Sequence, residues 1–220
     1  MKTTTITKLA LSLALGFAGA AQASTVTFDS IGDASTLHFN ATVDGATLDT
    51  SFAFTLTSLT ASTVQFAVHA LNNSSGPGQN VFMSMGIDVV SPALTGATAS
   101  DIWSAGLKVV LPGSQKVDLC VYAAQNCAGG AIGQGLAEGG TSDFTLTLTT
   151  AGSFLTSGVS FLSPYSAKWQ GVGLSGDSYE TASGCFGNNC GGGGTETSVP
   201  EPMSLALVGI VLLGAAAARR

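Results

Sequence analysis

The sequence predicts an all-β fold, and three observations support that prediction. Apolar and polar residues alternate with a period of two along many short segments, such as residues 37–43, which is the spacing of a half-buried strand. The segments end at turn-forming residues such as Asp44-Gly45. Threonine is abundant, and its β-branched side chain packs well on a pleated surface. We therefore expect antiparallel strands that each bury one face.

Nine segments have the alternation or the length of a strand, and none shows sustained helical spacing. The predicted strands are residues 26–28, 37–43, 52–56, 64–68, 81–90, 107–111, 117–122, 144–148 and 154–161. Strands with one apolar face need a second layer to cover it. We predict an antiparallel β-sandwich, jelly-roll-like or immunoglobulin-like, with a closed β-barrel as the alternative.

Aromatic residues divide into two predicted groups. Eight phenylalanines fall mostly at inward positions and form the expected core: Phe28, Phe39, Phe52, Phe54, Phe66, Phe144, Phe154 and Phe161. Trp103, Tyr165 and Trp169 stand beside turn residues, where an exposed ring is able to stack on a sugar. We take these three as candidate sugar-contacting residues; the alternative is that they form the rim of the core.

Charge is sparse in the body of the chain. Residues 24–199 contain three lysines and twelve carboxylates, so the body is more acidic than the whole chain, whose net charge is −6. An acidic surface repels phosphate backbones, and we expect no nucleic-acid partner. Serine and threonine supply most of the remaining polarity, which suits a protein outside the cell.

The N-terminus has the parts of a secretory signal peptide. Lys2 and Lys8 form a basic region, residues 9–20 are apolar, and Ala21-Gln22-Ala23 is an A-x-A cleavage site. We predict a signal peptide over residues 1–23, cleaved after Ala23. A retained membrane anchor is the alternative, and the short apolar region argues against it.

The C-terminus has three parts in a defined order. Val199-Pro200-Glu201-Pro202 precedes an unbroken apolar run, residues 203–218, and Arg219-Arg220 follow. As a helix the run would span about 24 Å, slightly less than a hydrocarbon core of about 30 Å. We predict a transmembrane helix over residues 203–218, stopped by the two arginines, which resist crossing the bilayer.

A flexible linker is predicted between the body and this tail. Residues 187–198 contain Gly191–Gly194 and several hydroxyl residues. We therefore predict a β-sandwich domain over residues 24–186, a linker over 187–198 and a sorting segment over 199–220.

The tail resembles the PEP-CTERM sorting signal, which joins a Pro-Glu-Pro motif, a short hydrophobic helix and a basic terminus. The resemblance covers about the last tenth of the chain. It implies export through the inner membrane of a Gram-negative-type bacterium and processing near Pro200-Glu201-Pro202 by a membrane protease of the exosortase type. It also implies a destination in the cell envelope or extracellular matrix, often alongside the exopolysaccharide of a biofilm.

Four cysteines favour two local disulfides. In an oxidising compartment we expect Cys120–Cys127 and Cys185–Cys190, although four cysteines allow other pairings. A zinc site is the alternative, but the spacings are not C-x₂-C and no histidine lies nearby. The second pair, with the glycine run behind it, also resembles the cistern-type subgroup of PEP-CTERM proteins.

No catalytic constellation is apparent in the sequence. His38 and His69 occupy the polar phase of predicted strands, and neither H-E-x-x-H nor G-x-S-x-G occurs. Acid pairs such as Asp29 with Asp33 are typical of turns, and calcium binding is their alternative role. We expect no enzymatic activity, no metal and no cofactor.

Together with these patterns, the resemblance implies a structural or adhesive protein of an exopolysaccharide matrix. The expected partners are an exosortase-type protease, extracellular polysaccharide or other matrix proteins, and, transiently through residues 203–218, the membrane. A carbohydrate-binding module and a secreted hydrolase are the alternative functions.

Overall fold

The computed structural model describes residues 25–111 and 115–187, and these residues confirm the all-β prediction. Every strand pairing among them is antiparallel. The strands are β1 (Thr25–Phe28), β2 (Ala34–Val43), β3 (Ala46–Leu59), β4 (Thr63–Asn72), β5 (Gly78–Ser91), β6 (Leu94–Ala99), β7 (Ser104–Leu111), β8 (Gln115–Tyr122), β9 (Thr141–Thr150), β10 (Val159–Val172) and β11 (Asp177–Phe186). A 3₁₀ turn (Ile132–Gln134) and one helical turn, α1 (Phe154–Ser157), lie between strands.

The strands form one open sheet that folds over on itself in a sandwich-like arrangement. The order is β6-β9-β4-β3-β2-β11-β10-β5-β8-β7, and β1 pairs with β10 beside that path. β11 joins the two layers, because it pairs with β10 up to Tyr165↔Gly184 and then with β2 from Cys185↔His38. Within the described residues no ladder joins β6 to β7, so the path does not close into a barrel.

Gly184 marks the point at which β11 passes between the layers. A Cβ at this position would overlap the ring of Phe39 and crowd the side chain of Tyr165. Only glycine therefore lets the backbone cross this close to the core. The crossing brings Phe186 inward, where its ring packs against Tyr165 at a centroid distance of 5.0 Å.

The inward faces of the two layers meet in one aromatic core. All eight predicted core phenylalanines are buried there, each contributing roughly 2–3 kcal/mol by burial. Phe28 of β1 contacts Phe66 of β4 at 5.0 Å and Phe161 of β10 at 5.5 Å between ring centroids. The core thus joins strands that are far apart in the chain.

Some elements differ from the sequence prediction. The first half of the strand predicted over residues 154–161 is wrong: it forms α1, which ends where Gly158 adopts a φ of +65°. β6 was not predicted, because this edge strand lacks alternation and has no fully buried residue. β11 was not predicted either, because its apolar and polar residues do not alternate regularly. The strand passes from one layer to the other, so no single face is buried along its length.

Candidate functional site

The predicted export and sorting residues lie outside the described part of the chain. They are Ala21, Ala23, Val199, Pro200, Glu201, Pro202, residues 203–218, Arg219 and Arg220; Cys190, predicted to form a disulfide, also lies outside the described residues. Their roles therefore stay predictions. Across residues 25–111 and 115–187, the helices are too short to cross a bilayer.

The three candidate sugar-contacting aromatics are buried, which corrects the expectation that they stand open beside turns. Trp103 is 2% exposed, and Tyr165 and Trp169 are 0% exposed. Trp103 stacks on Phe144 with 5.1 Å between the ring centroids. Tyr165 and Trp169 occupy the inward phase of β10. None of the three rings offers a face to a sugar, so they act as core residues.

The polar atoms of two of these rings have partners inside the protein. The Trp103 Nε1–H donates to the Ser142 hydroxyl at 3.0 Å, and the Tyr165 hydroxyl donates to the Phe161 carbonyl at 3.0 Å. Burial raises the pKa of the Tyr165 hydroxyl, because the phenolate would lose its hydration. Tyr165 therefore stays a neutral hydrogen-bond donor.

Trp169 begins a buried polar network that sequence analysis missed. Its Nε1–H donates to Thr50 Oγ1 at 3.1 Å, and the Thr50 hydroxyl donates to Asn72 Oδ1 at 3.3 Å. The Asn72 amide nitrogen donates to the carbonyls of Asn80 and Leu136, both at 2.9 Å. One feature of the sequence indicates this network: Thr50 and Asn72 are polar residues at positions where the alternation of β3 and β4 points inward.

The same network ties together three loops at one end of the sandwich. The Asn80 amide nitrogen donates to Glu138 Oε2 at 2.8 Å and to the Pro77 carbonyl at 3.2 Å. Asn80 Oδ1 accepts the backbone N–H of Gly173 at 3.4 Å. These contacts hold backbone groups in place, which is a structural role.

A covering segment, residues 123–140, buries the outer face of β5 and β10. Gly135 packs on Val81 and Met83, and Phe82 exchanges backbone hydrogen bonds with Leu136. As a result β5 is buried on both faces over most of its length. The extended apolar run at residues 81–90 reflects this double burial.

The Cys120–Cys127 disulfide, which the sequence predicts, closes the start of the covering segment. Both cysteines are buried, and the Ser84 hydroxyl donates to the Cys127 carbonyl at 2.9 Å. Cys185 is also disulfide-bonded. Its predicted partner, Cys190, lies beyond the described residues.

Beneath the covering segment lies an ion pair. Lys168 is only 5% exposed, and its Nζ lies 2.7 Å from Glu180 Oε1 on the neighbouring strand. Gly129 sits against Lys168, and a side chain at that position would crowd the lysine. The pairing compensates the burial of the ammonium group, as a buried charge requires.

The outer face of β3, β4 and β9 is rich in hydroxyl groups, and we call it the hydroxyl face. Its outward residues are Thr47, Asp49, Ser51, Ala53, Thr55, Thr57, Thr63, Gln65, Ala67, His69, Leu71, Thr141, Asp143, Thr145, Thr147 and Thr149. His69 Nδ1 lies 2.7 Å from Asp143 Oδ1 on this open surface. A histidine–carboxylate pair on a flat, solvated sheet lacks the cleft that a catalytic triad needs.

Two carboxylates, Asp88 and Asp118, lie side by side where β5 meets β8. The Asp118 N–H donates to Asp88 Oδ1 at 3.3 Å, and Asp118 Oδ2 accepts the Val89 N–H at 3.1 Å. Burial raises the pKa of Asp88; the backbone hydrogen bond opposes that rise and the charge of Asp118 adds to it. The adjoining cleft, bordered by Leu94 and Lys108, has a volume of about 100 Å³. Pockets that hold small molecules are usually about 300–1,000 Å³.

The turn acids accept backbone hydrogen bonds. Asp33 Oδ2 accepts the N–H groups of Asp29 and Ser30, both at 2.8 Å, and Asp44 Oδ2 accepts the N–H of Ser175 at 2.8 Å. In the part of the chain that the structure describes, no three His, Cys, Asp or Glu side chains are grouped to hold a metal ion. The turn role is thus the one that the contacts support.

Comparison with known proteins adds no relative. No protein-family model, curated protein or solved structure matches this chain. The hydroxyl face is a solvent-exposed sheet surface built from three described strands, and it is the candidate functional surface.

Proposed function

We propose that this protein is an exported component of a bacterial cell envelope or extracellular matrix, with a structural or adhesive role in exopolysaccharide. One observation carries the proposal: Val199-Pro200-Glu201-Pro202, the apolar run and the arginine pair follow one another at the end of a chain that begins with a signal-peptide pattern. An exosortase-type protease would process the tail and release the domain.

Features of the domain support an exported destination. The Cys120–Cys127 disulfide is typical of an oxidising compartment. Hydroxyl groups outnumber ionisable side chains on the outer face of β3, β4 and β9, where the ionisable residues are Asp49, His69 and Asp143. A surface rich in hydrogen-bonding groups suits contact with a hydrated polysaccharide. We also take the sandwich, rather than the closed barrel, as the architecture of the domain, because β6 and β7 leave the sheet open.

Changing the sorting motif tests this function. Replacing Pro200, Glu201 and Pro202 by Ala, Gln and Ala should leave the protein in the membrane fraction, because the protease would no longer recognise it. The matched control is Glu196→Gln, which removes the same charge from the linker. Mass spectrometry of protein recovered from the medium should place the wild-type C-terminus upstream of residue 203. Equal release of the triple variant would contradict the proposal.

The hydroxyl face favours a carbohydrate-binding module as the second candidate. Thr55 and Thr145 flank Ala67 in one cross-strand row. Because all three side chains are small, this part of the surface has no projecting groups. Thr55→Arg together with Thr145→Arg should block it and remove retardation in affinity electrophoresis through the exopolysaccharide. Ser178→Arg, an exposed change in β11, is the control. Retardation that survives the double change would rule out this face as the binding surface.

A further inference from the structure

A histidine–aspartate pair lies on the hydroxyl face and is open to solvent. His69 of β4 stands directly opposite Asp143 of β9, and 2.7 Å separate His69 Nδ1 from Asp143 Oδ1. The two side chains are 52% and 83% exposed. Within the described residues, this is the one hydrogen bond that either side chain makes. His69 Nε2 and Asp143 Oδ2 are therefore free to bind groups outside the protein.

Small side chains lie beside the pair. Ala53 is opposite His69 on β3, and the adjacent cross-strand row holds Thr55, Ala67 and Thr145. None of these alanine and threonine side chains is as long as the histidine side chain. The imidazole ring thus stands at the edge of a shallow floor of methyl and hydroxyl groups. An extended chain of sugar rings can lie on that floor and reach the pair from the side.

The hydrogen-bonding groups of this region match those of a sugar. An ionised carboxylate such as that of Asp143 only accepts hydrogen bonds, whereas a threonine hydroxyl both donates and accepts. His69 Nε2 donates or accepts according to the protonation state of the ring. Sugar hydroxyl groups also donate and accept, so each has a counterpart here. Hydrogen bonds to an ionised acceptor are the stronger ones, which makes Asp143 the expected anchor.

The strands of the layer that carries the hydroxyl face contain no lysine or arginine: they are β2, β3, β4, β6 and β9. The exposed lysines of the described residues, Lys108 and Lys116, lie on β7 and β8 in the other layer. The hydroxyl face itself carries the carboxylates of Asp49 and Asp143, and the imidazole of His69 is already paired. A uronate, sulfate or phosphate group would meet like charge without a counter-charge, so an anionic polymer is repelled.

We propose that His69 and Asp143 bind the hydroxyl groups of an uncharged exopolysaccharide, and that the hydroxyl face discriminates against anionic ones. Asp143 Oδ2 accepts hydrogen bonds from the sugar, while His69 holds the carboxylate in place and presents Nε2 to a neighbouring hydroxyl. The threonines of the adjacent row extend the contact along the polymer. This inference rests on the carbohydrate-binding role under the proposed function, and it adds the class of polysaccharide and the residues that bind it.

Separating the exopolysaccharide by charge tests the discrimination. The exopolysaccharide of the producing cell is divided on an anion exchanger into an uncharged and an acidic fraction. Each fraction is cast into a native gel, and the chain, residues 24–220, is run in a polyoxyethylene detergent, which contains no sugar. We expect the uncharged fraction to retard the chain and the acidic fraction to leave its mobility unchanged. Retardation by the acidic fraction to the same extent would overturn the discrimination.

Variants of Asp143 test the binding residues. Asp143→Ala should raise the dissociation constant for the uncharged fraction by about fivefold, the effect of losing one hydrogen bond to a charged group near water. Asp177→Ala removes the same charge from an exposed position of β11 and should have no effect. Asp143→Lys should let the acidic fraction retard the chain, whereas Asp177→Lys should not. Equal behaviour of the matched variants would overturn the role of Asp143.

The outcomes separate this inference from the proposed function. The substituted side chains are exposed, and a surface ion pair contributes little to stability, so the variants should fold; urea titration checks this. If Asp143→Ala binds like the wild type while Thr55→Arg with Thr145→Arg does not bind, the pair has no binding role and the role of the face stands. If neither fraction retards the wild type, the carbohydrate-binding role fails and this inference with it. The C-terminus of the released protein reports on sorting independently.

Discussion

Asn72 shows how one polar side chain can organise a loop-bearing end of a β domain. It is fully buried at the end of β4, where the inward phase would otherwise hold an apolar residue. Its amide oxygen accepts a hydrogen bond from the Thr50 hydroxyl, and its amide nitrogen donates to the carbonyls of Asn80 and Leu136. The backbone N–H of Ser74 also donates to Asn72 Oδ1 at 3.2 Å. Four groups from different segments therefore depend on one side chain.

Asn72→Ala should lower the free energy of unfolding by about 2–4 kcal/mol, because it leaves buried donors and acceptors without partners. Asn73→Ala is the control at the adjacent, exposed position, where the side chain only donates to Asp49, and it should cost less than about 0.5 kcal/mol. Urea titrations of the two variants measure the difference. Equal losses would show that the network contributes little.

At the scale of elements, the covering segment adds a further layer of chain outside the sheet at β5 and β10. Residues 123–140 lie across β5 and β10, so these strands have no solvent-facing side along their middles. The Cys120–Cys127 disulfide and the Ser84 hydroxyl hold the start of the segment. Beneath it the buried Lys168 pairs with the partly exposed Glu180. The disulfide thus supports a local cover more than the whole fold.

Replacing both Cys120 and Cys127 by alanine should lower the free energy of unfolding by about 2–3 kcal/mol, as expected for a short closed loop. The separation of the two cysteines in the chain is 7 residues. Hydrogen exchange should speed up in residues 123–140 and stay unchanged in β2, β3 and β4. Faster exchange throughout both layers would contradict a local role for the bond.

At the scale of the whole molecule, the partly buried carboxylate of Asp88 makes stability depend on pH. Asp88 is the described carboxylate whose pKa is clearly raised, chiefly by burial, with a contribution from Asp118. Because its pKa is higher in the folded than in the unfolded state, Asp88 stabilises the fold at low pH. That stabilisation is lost as pH rises through the folded-state pKa.

Asp88→Asn should therefore raise the free energy of unfolding at pH 7, by less than about 1 kcal/mol because the group is partly solvated. The gain should disappear below the ordinary Asp pKa, where the wild-type carboxyl is protonated in both states. Asp177→Asn, at an exposed position, is the control and should show no such trend. Denaturation series from pH 3 to pH 7 provide the comparison. A gain that persists in acid would contradict the charge-based explanation.

Much of the fold could be read from local patterns. Alternation placed β2, β3, β4 and β9, because a period of two reports one buried face directly. It also identified the eight core phenylalanines, and the cysteine spacing identified the Cys120–Cys127 bond. The alternation also places the polar side chains of Thr50 and Asn72 at inward positions. A local pattern cannot identify the distant residues that form hydrogen bonds with them.

The sequence by itself determined the strand-rich class and the inward phenylalanines, because composition and short-range periodicity are local properties; the two terminal segments stay predictions, since they lie outside the described residues. Only the tertiary structure decided that Trp103, Tyr165 and Trp169 are core residues, because burial depends on what a distant strand places over them. It also decided that β11 joins the two layers at Gly184 and that Trp169 reaches Thr50 in the buried polar network. Some of those relations, such as Trp169 with Thr50 and Cys185 with His38, join residues more than a hundred positions apart, and no period in the chain encodes them.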